Sequence, residues 1–175
     1  KPGALNFGSA GSGTGSHLTA ELFKAVAGID MVHVPYKGSA PAMPDLMAGQ
    51  LHLMFNGIPS SMPHLRSGRV RALAVTTATR FAAAPELPTI AEAGFPGAES
   101  TSWTGVLVPA GTPGSVITRL NAGFVKALRF ADVTARLSAD GAVPVGNSAV
   151  EFGAYIKNEL VKWSKIVKVT GATVQ

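Results

Sequence analysis

The sequence predicts an α/β fold built on a mostly parallel sheet with flanking helices. Three observations carry this. Short apolar runs alternate with single amphipathic helices through the first hundred residues. The runs are nearly all apolar, as parallel strands covered on both faces are. Hydrophobic residues make up 46% and charged residues 14% of 175, which excludes a disordered chain and allows a substantial core.

Leu5-Asn6-Phe7-Gly8 reads as the first strand. Thr14 to Ala27 reads as a helix, because Leu18, Leu22, Phe23 and Val26 share one face and Gly28 stands at a left-handed C-cap position. Met31 to Tyr36 is β-branched and alternating, a second strand. Ser39 to Ala48 is a helix with Pro41 in its first turn and Gly49 beyond its end. Leu51 to Phe55 is a third strand, Pro59 to Arg66 a short helix closed by Gly68, and Val70 to Val75 a fourth strand. Strands separated by single helices imply parallel pairing through crossovers. Thr89-Ile90-Ala91-Glu92 is a capping box that predicts a short helix ending near Gly94, and Ser102 to Val108 reads as a further strand.

Beyond this the character changes. Pro109-Ala110-Gly111-Thr112-Pro113-Gly114 is a turn-rich junction. A helix is expected from about Pro113 to Arg129, with Val116, Leu120, Phe124 and Leu128 spaced by fours. A shorter helix follows over Ala131–Ala139, then a brief strand over Ala142–Val145. Ser148-Ala149-Val150-Glu151 is a second capping box, opening a helix to about Val169 with Phe152, Tyr155, Ile156, Leu160, Trp163 and Val167 on one face. The upstream helices already flank the sheet. Exposed apolar surface is therefore expected on Val116, Leu120, Phe152, Ile156 and Trp163, with a dimer or domain swap through these helices as its relief.

Composition narrows the function classes. The absence of Cys excludes disulfides, cysteine-zinc sites and thiol catalysis. The net charge is +5, but Lys and Arg are scattered, which suits a small anionic ligand better than nucleic acid. No apolar run reaches the length of a membrane span, and no targeting segment is visible. The chain opens at Lys1 without Met, which reads as a mature form or a fragment of something longer.

The stretch richest in chemistry is Phe7-Gly8-Ser9-Ala10-Gly11-Ser12-Gly13-Thr14-Gly15-Ser16-His17, joining the first strand to the first helix. Its glycines let backbone approach a ligand, the helix start offers unpaired N–H groups, and the hydroxyls of Ser9, Ser12, Thr14 and Ser16 add donors. Together they form an anion cradle. Thr14 stands where a triphosphate-binding P-loop carries Lys, and Ser16 stands where the dinucleotide fingerprint needs its third Gly. A carboxylate needs neither. The competing reading is a Gly/Ser-rich turn that only caps a helix.

Two more strand ends converge there, since ligands of open parallel sheets bind beyond the carboxyl ends of the strands. Gly38 and Ser39 offer a second helix start, beside Lys37, which also reads as a solvated charge. Asn56 is either a hydrogen-bonding group for the ligand or a turn residue. His17 lies in the first helical turn and either touches the ligand or neighbours the cap. His33 and His52 fall on strands and read as structural. The histidines lack metal spacing, no G-x-S-x-G elbow occurs, and the ten acids are dispersed, so no metal, cofactor or catalytic residue is indicated. Trp103 reads as core or as a pocket wall.

Several of these segments together resemble one family. They are Asn6 to Thr14 with His17-Leu18 and Glu21-Leu22-Phe23, then Val34-Pro35-Tyr36-Lys37-Gly38-Ser39-Ala40-Pro41-Ala42, then Asp45-Leu46 with Gly49-Gln50. Further on come Arg71 to Thr76, Pro85 to Gly94 and Val108 to Pro113. The chain resembles the Bug family, the TctC-like periplasmic substrate-binding proteins of tripartite tricarboxylate transporters. The resemblance implies a periplasmic-binding-protein-like Venus flytrap that binds a small organic carboxylate, passes it to the membrane subunits and performs no catalysis. It implies export to the periplasm. It also makes residues 1–105 the second lobe, carrying the ligand loop, and 106–175 a C-terminal helical segment returning to a first lobe absent from this N-terminally truncated chain. Ser9, Ala10, Gly11, Ser12, Gly13 and Thr14 correspond to the second-lobe loop, which in the family holds carboxylate oxygens largely through backbone N–H groups and water. The alternatives are a phosphate- or nucleotide-binding α/β enzyme using the same loop, and a pure interaction domain.

Overall fold

A computed structural model describes residues 2–139 and 141–172. Its elements are β1 (Asn6–Ser9), α1 (Gly15–Ala27), β2 (Val32–Pro35), α2 (Ser39–Met47), β3 (Leu53–Met54), α3 (Ile58–Arg66), α4 (Gly114–Ala127), α5 (Ala131–Ala139) and α6 (Ala149–Thr170). The chain divides into two compact units. One runs to Ser102 and takes in the chain from Trp163 onward; the other is Trp103–Lys162.

The sheet has the order β2-β1-β3, with every pairing parallel. Phe7 stands opposite His33 on one side and Leu53 on the other. The chain leaves β1 through α1 to reach β2, then returns through α2 to the far side of β1. That reversal of direction is a topological switch point, the kind of place where ligands of open α/β sheets bind, beyond the carboxyl end of β1. Phe7 is completely buried and packs with Ala20 and Met31, walled by Phe23, Leu53 and Phe55. Phe23 meets Phe55 and Phe95 at ring-centroid distances of 5.6 and 5.0 Å. Gly28 takes φ +64° and donates its N–H to the Lys24 carbonyl, ending α1 as its C-cap position predicts.

Four expected elements do not form. Of the strand expected over Val70–Val75, only Val75 pairs, in an isolated parallel bridge to Thr89. Its N–H donates to Pro88 O and its carbonyl accepts from Ile90 N–H. The partner segment enters through Pro88, which has no N–H, and turns at once, so a single rung is all it offers. The capping box after it forms, with Thr89 N–H donating to Glu92 Oε2 at 2.7 Å and Glu92 N–H to Thr89 Oγ1 at 3.1 Å. It closes turns rather than a helix, because Gly94 at φ +99° stops it within one turn. Residues 102–108 and 142–145 are unpaired and exposed rather than strands, Leu107, Val143 and Val145 nearly fully so. Apolar runs become strands only beside a partner edge, and the described residues give these none.

Every buried apolar side chain among the described residues lies between Phe7 and Ala98. Within Trp103–Lys162 no described residue is buried. Val116 and Leu120 are exposed as expected, whereas Phe152, Ile156 and Trp163 are half-buried. Trp103 presses edge-on against Phe152 and Tyr155 at 5.5 and 5.7 Å, and Gly105 lies against the Phe152 ring where a Cβ would clash. The second capping box forms, Ser148 N–H donating to Glu151 Oε2 and Glu151 N–H to Ser148 Oγ.

This distribution has a measurable consequence. Phe7→Ala is expected to cost about 3–5 kcal/mol in denaturant unfolding, because it empties the centre of the core. Val143→Ala, at 77% exposure, is expected to change stability by less than about 0.5 kcal/mol.

Candidate functional site

The loop between β1 and α1 is held from three sides. Beneath it, Ser9 ends β1 fully buried. Beside it, the β1–β2 pairing continues past the strands: Tyr36 N–H donates to Ser9 O at 3.1 Å and Gly38 N–H to Ala10 O at 3.0 Å. Within it, Ala10 N–H donates to Ser16 Oγ (2.9 Å), Gly11 N–H to Ser9 Oγ (3.1 Å), Gly13 N–H to His17 Nδ1 (3.0 Å) and Thr14 N–H to Gly11 O (3.3 Å). Gly11 takes φ +133°, and a Cβ there would stand 3.1 Å from the Tyr36 carbonyl. Only Gly fits that corner.

These bonds sort the expected site residues. The amides of Ala10, Gly11, Gly13 and Thr14 are committed within the protein. Among the described residues, the amides of Ser12, Gly15, Ser16 and His17 meet no acceptor. The Thr14 hydroxyl does not cap the helix. It donates back to Gly11 O at 2.7 Å and lies 3.0 Å from Ser16 Oγ. The first turn of α1 carries no acid either. Three amides of a helix start and one from the loop therefore remain, at the positive end of a thirteen-residue helix. Gly15 belongs with the site, although the reading of the sequence did not single it out; its signal was its place at the first helical residue.

The other candidates separate. Gly38, at φ +109°, precedes α2 without a side-chain cap, and Ser39 is the first helical residue. Gly38 spends its amide on Ala10, so it ties the two loops together. Asn56 donates Nδ2 to Ser61 Oγ at 3.1 Å, which turns it toward the start of α3. One N–H of that amide is spent there, and the second remains as a donor. His17 is buried, with Nδ1 taken by Gly13 and Nε2 3.9 Å from Glu21 Oε1, so its ring lies under the loop.

His33 supports the site from below. Its Nε2 lies 2.6 Å from Ser9 Oγ, and its ring stacks between Phe7 (4.9 Å) and His17 (3.9 Å, 9° between planes). The parallel register opposite Phe7 put it there. His52 Nδ1 accepts Asn6 N–H at 2.9 Å and braces β3 against β1. Burial lowers the pKa of His17 below the usual histidine range. Burial, reinforced by His17 itself, pushes His33 down to about 4. Lys24 pairs with the buried Glu21 at 2.9 Å and stands 5.7 Å from the Phe7 ring centre.

Comparison with known proteins bears on this arrangement. The family described as "Tripartite tricarboxylate transporter family receptor", TctC, matches residues 1–172. The chain belongs to this family. A relative from Pseudomonas sp. strain P51, the UPF0065 protein in the tcbD-tcbE intergenic region, is 43% identical over 167 residues, which is 95% of this chain and 50% of that protein. The chain thus spans about half the length of that relative. The structure of Rpa4515 from R. palustris with adipate is 40% identical, with a TM-score of 0.87 over 100% of this chain and 58% of that one. MatC (Rpa3494) from Rhodopseudomonas palustris with bound malate is 32% identical, with a TM-score of 0.78 over 94% and 57%. The periplasmic binding protein BugD gives 32% and 0.82 over 100% and 59%. The fold is accordingly that of the periplasmic binding proteins, α/β with a parallel sheet.

The lowered histidines make stability acid-dependent. Above about pH 6.5 the ring of His33 is neutral folded or unfolded, and its contribution is complete. As pH falls, the unfolded chain takes the proton first, so stability drains between about 6.5 and about 4. The expected loss is up to roughly 3 kcal/mol, read as a fall in the guanidinium midpoint between pH 7.5 and 4.5 that His33→Gln reduces.

Proposed function

We propose that this chain is the ligand-holding part of an extracytoplasmic receptor, which captures a small organic carboxylate for a tripartite tricarboxylate-type transporter. The observation that carries this reading is the uncapped start of α1: the amides of Ser12, Gly15, Ser16 and His17 stay unspent while every neighbouring amide in the loop is tied down. A carboxylate has two oxygens with about four lone-pair sites between them, so it suits a small set of neutral donors and needs no Lys. Ser9, Ala10, Gly11, Gly13 and Thr14 shape the loop, Gly38 and Ser39 fix its neighbour, and Ser12, Gly15, Ser16 and His17 present donors. Adipate and malate in two solved relatives support a dicarboxylate as the class.

Residues 1–105 act in this reading as one lobe with its ligand loop, and 106–175 as a helical segment serving the other. The exposed Val116, Leu120 and Phe124 of α4 suit burial against further chain of the kind that the longer relatives possess. Periplasmic placement follows BugD. The receptor carries out no chemistry in this reading: the Ser9 hydroxyl that meets His33 is fully buried and bonded to the loop backbone, and the family is one of receptors. A nucleotide enzyme is disfavoured by Thr14 at the P-loop lysine position.

Thermal unfolding of the full-length protein with adipate, malate, inorganic phosphate and ATP tests this. The dicarboxylates are expected to raise the midpoint. A rise with ATP and none with either dicarboxylate would overturn the reading. Gly11→Val is expected to weaken binding at least about tenfold in calorimetry, because φ +133° and the Tyr36 carbonyl leave a side chain no place.

A further inference from the structure

We propose that the stacked His17–His33 pair is the support that sets the ligand loop, and that a proton taken up by His17 opens the loop and releases the anion. The idea deepens the carboxylate reading and rests on it for the identity of the ligand. The geometry is independent of that identity.

His17 Nδ1 accepts the Gly13 N–H at 3.0 Å, so the neutral ring carries its hydrogen on Nε2. Protonation would put N–H against N–H at Nδ1. The contact would turn from bond to repulsion, and Gly13 would have to leave. Gly13 sits between Ser12 and Thr14, one residue from the Ser12 amide and two from the Gly15 amide that the cradle uses. Losing that bond scatters the donors.

His33 holds the other shoulder. Its Nε2 is bonded to Ser9 Oγ, and Ser9 Oγ accepts the Gly11 N–H. A proton on His33 leaves that chain intact, since Nε2–H can donate to the hydroxyl. It cannot coexist with one on His17, because the rings stack at 3.9 Å. The acid sensitivity of the loop's own bond therefore resides in His17, and His33 sets its level.

The charged groups acting on the rings are Glu21 and Lys24, both on α1. From β1 come only the Ser9 hydroxyl and the Phe7 ring, and from β2 His33 itself. Glu21 favours the proton on His17 and Lys24 opposes it, while burial lowers both rings. A charged His17 would not compensate by attracting the ligand directly. Its Nδ1 faces Gly13, its Nε2 faces Glu21, and the ring is buried beneath the loop. His17 is thus a positioning residue through its side chain and a donor only through its amide.

The test has two arms. In the first, nuclear magnetic resonance follows the His17 ring and the Gly13 amide through an acid titration of the unliganded chain. Both are expected to move together, with a midpoint below that of a free histidine. A Gly13 amide indifferent to the His17 proton overturns the proposal, whether or not a ligand is known. In the second, adipate binding to the full-length protein is measured from pH 7.5 to 5. The wild type is expected to weaken at least tenfold. His17→Asn, whose Oδ1 can accept the Gly13 N–H without titrating, is expected to lose the steep acid limb, its affinity changing between pH 7.5 and 5 by much less than that of the wild type whatever its starting level. Adipate's own protonation is common to both proteins, so the difference isolates His17. Equal slopes overturn the proposal. Failure of both adipate and malate to bind at pH 7.5 would instead remove the carboxylate reading, and the Gly13 titration would still decide the support.

Discussion

The parallel ladder between β1 and β2 does not stop where the strands stop. Pairing runs from Asn6↔Val32 to Ser9↔Pro35, and two further bonds, from Tyr36 to Ser9 and from Gly38 to Ala10, carry it into the loops. Everything at the site depends on that extension. It anchors the β1–α1 loop along one edge, forces the tight corner at Gly11, and leaves the loop able to meet its own needs through Ser9, Ser16 and His17. A floppy glycine loop would order only when a ligand arrived, at a cost in conformational entropy. Here the donors are already in place.

The anion chemistry proposed for this loop differs from that of a lysine site. A lysine carries its charge on a flexible stem and attracts any anion at long range. Amides at a helix start act over about one turn and demand an oxygen in the right place. Glu21 and Lys24, on the helix that the loop opens, pair with each other. Discrimination among ligands then falls to shape and donor spacing rather than to charge.

The sequence made the first half of this legible because its signals are local. Gly28 beyond an amphipathic helix, the capping boxes at Thr89 and Ser148, and the Gly/Ser run after the first strand each describe a few neighbouring residues, and each formed a recognisable structure. The three strands that did not form share one cause. Val70–Val75, Ser102–Val108 and Ala142–Val145 have strand-like composition, but pairing is decided by a distant edge that a run of residues does not encode. The same holds at the site. The loop was visible, but which amides are spent was not: that depends on where the Ser9, Ser16 and His17 side chains turn. His33 looked structural, and it is. Its particular role needed the register that sets β2 beside β1.

The sheet is closed early along the chain. Among the described residues no rung of the three-stranded sheet reaches beyond Met54, and the loop takes its bonds from residues no later than Gly38. The candidate loop thus draws none of these hydrogen bonds from α4, α5 or α6. The scaffold of the proposed anion corner is therefore complete between Asn6 and Met54, so a lesion in the later helices need not loosen it.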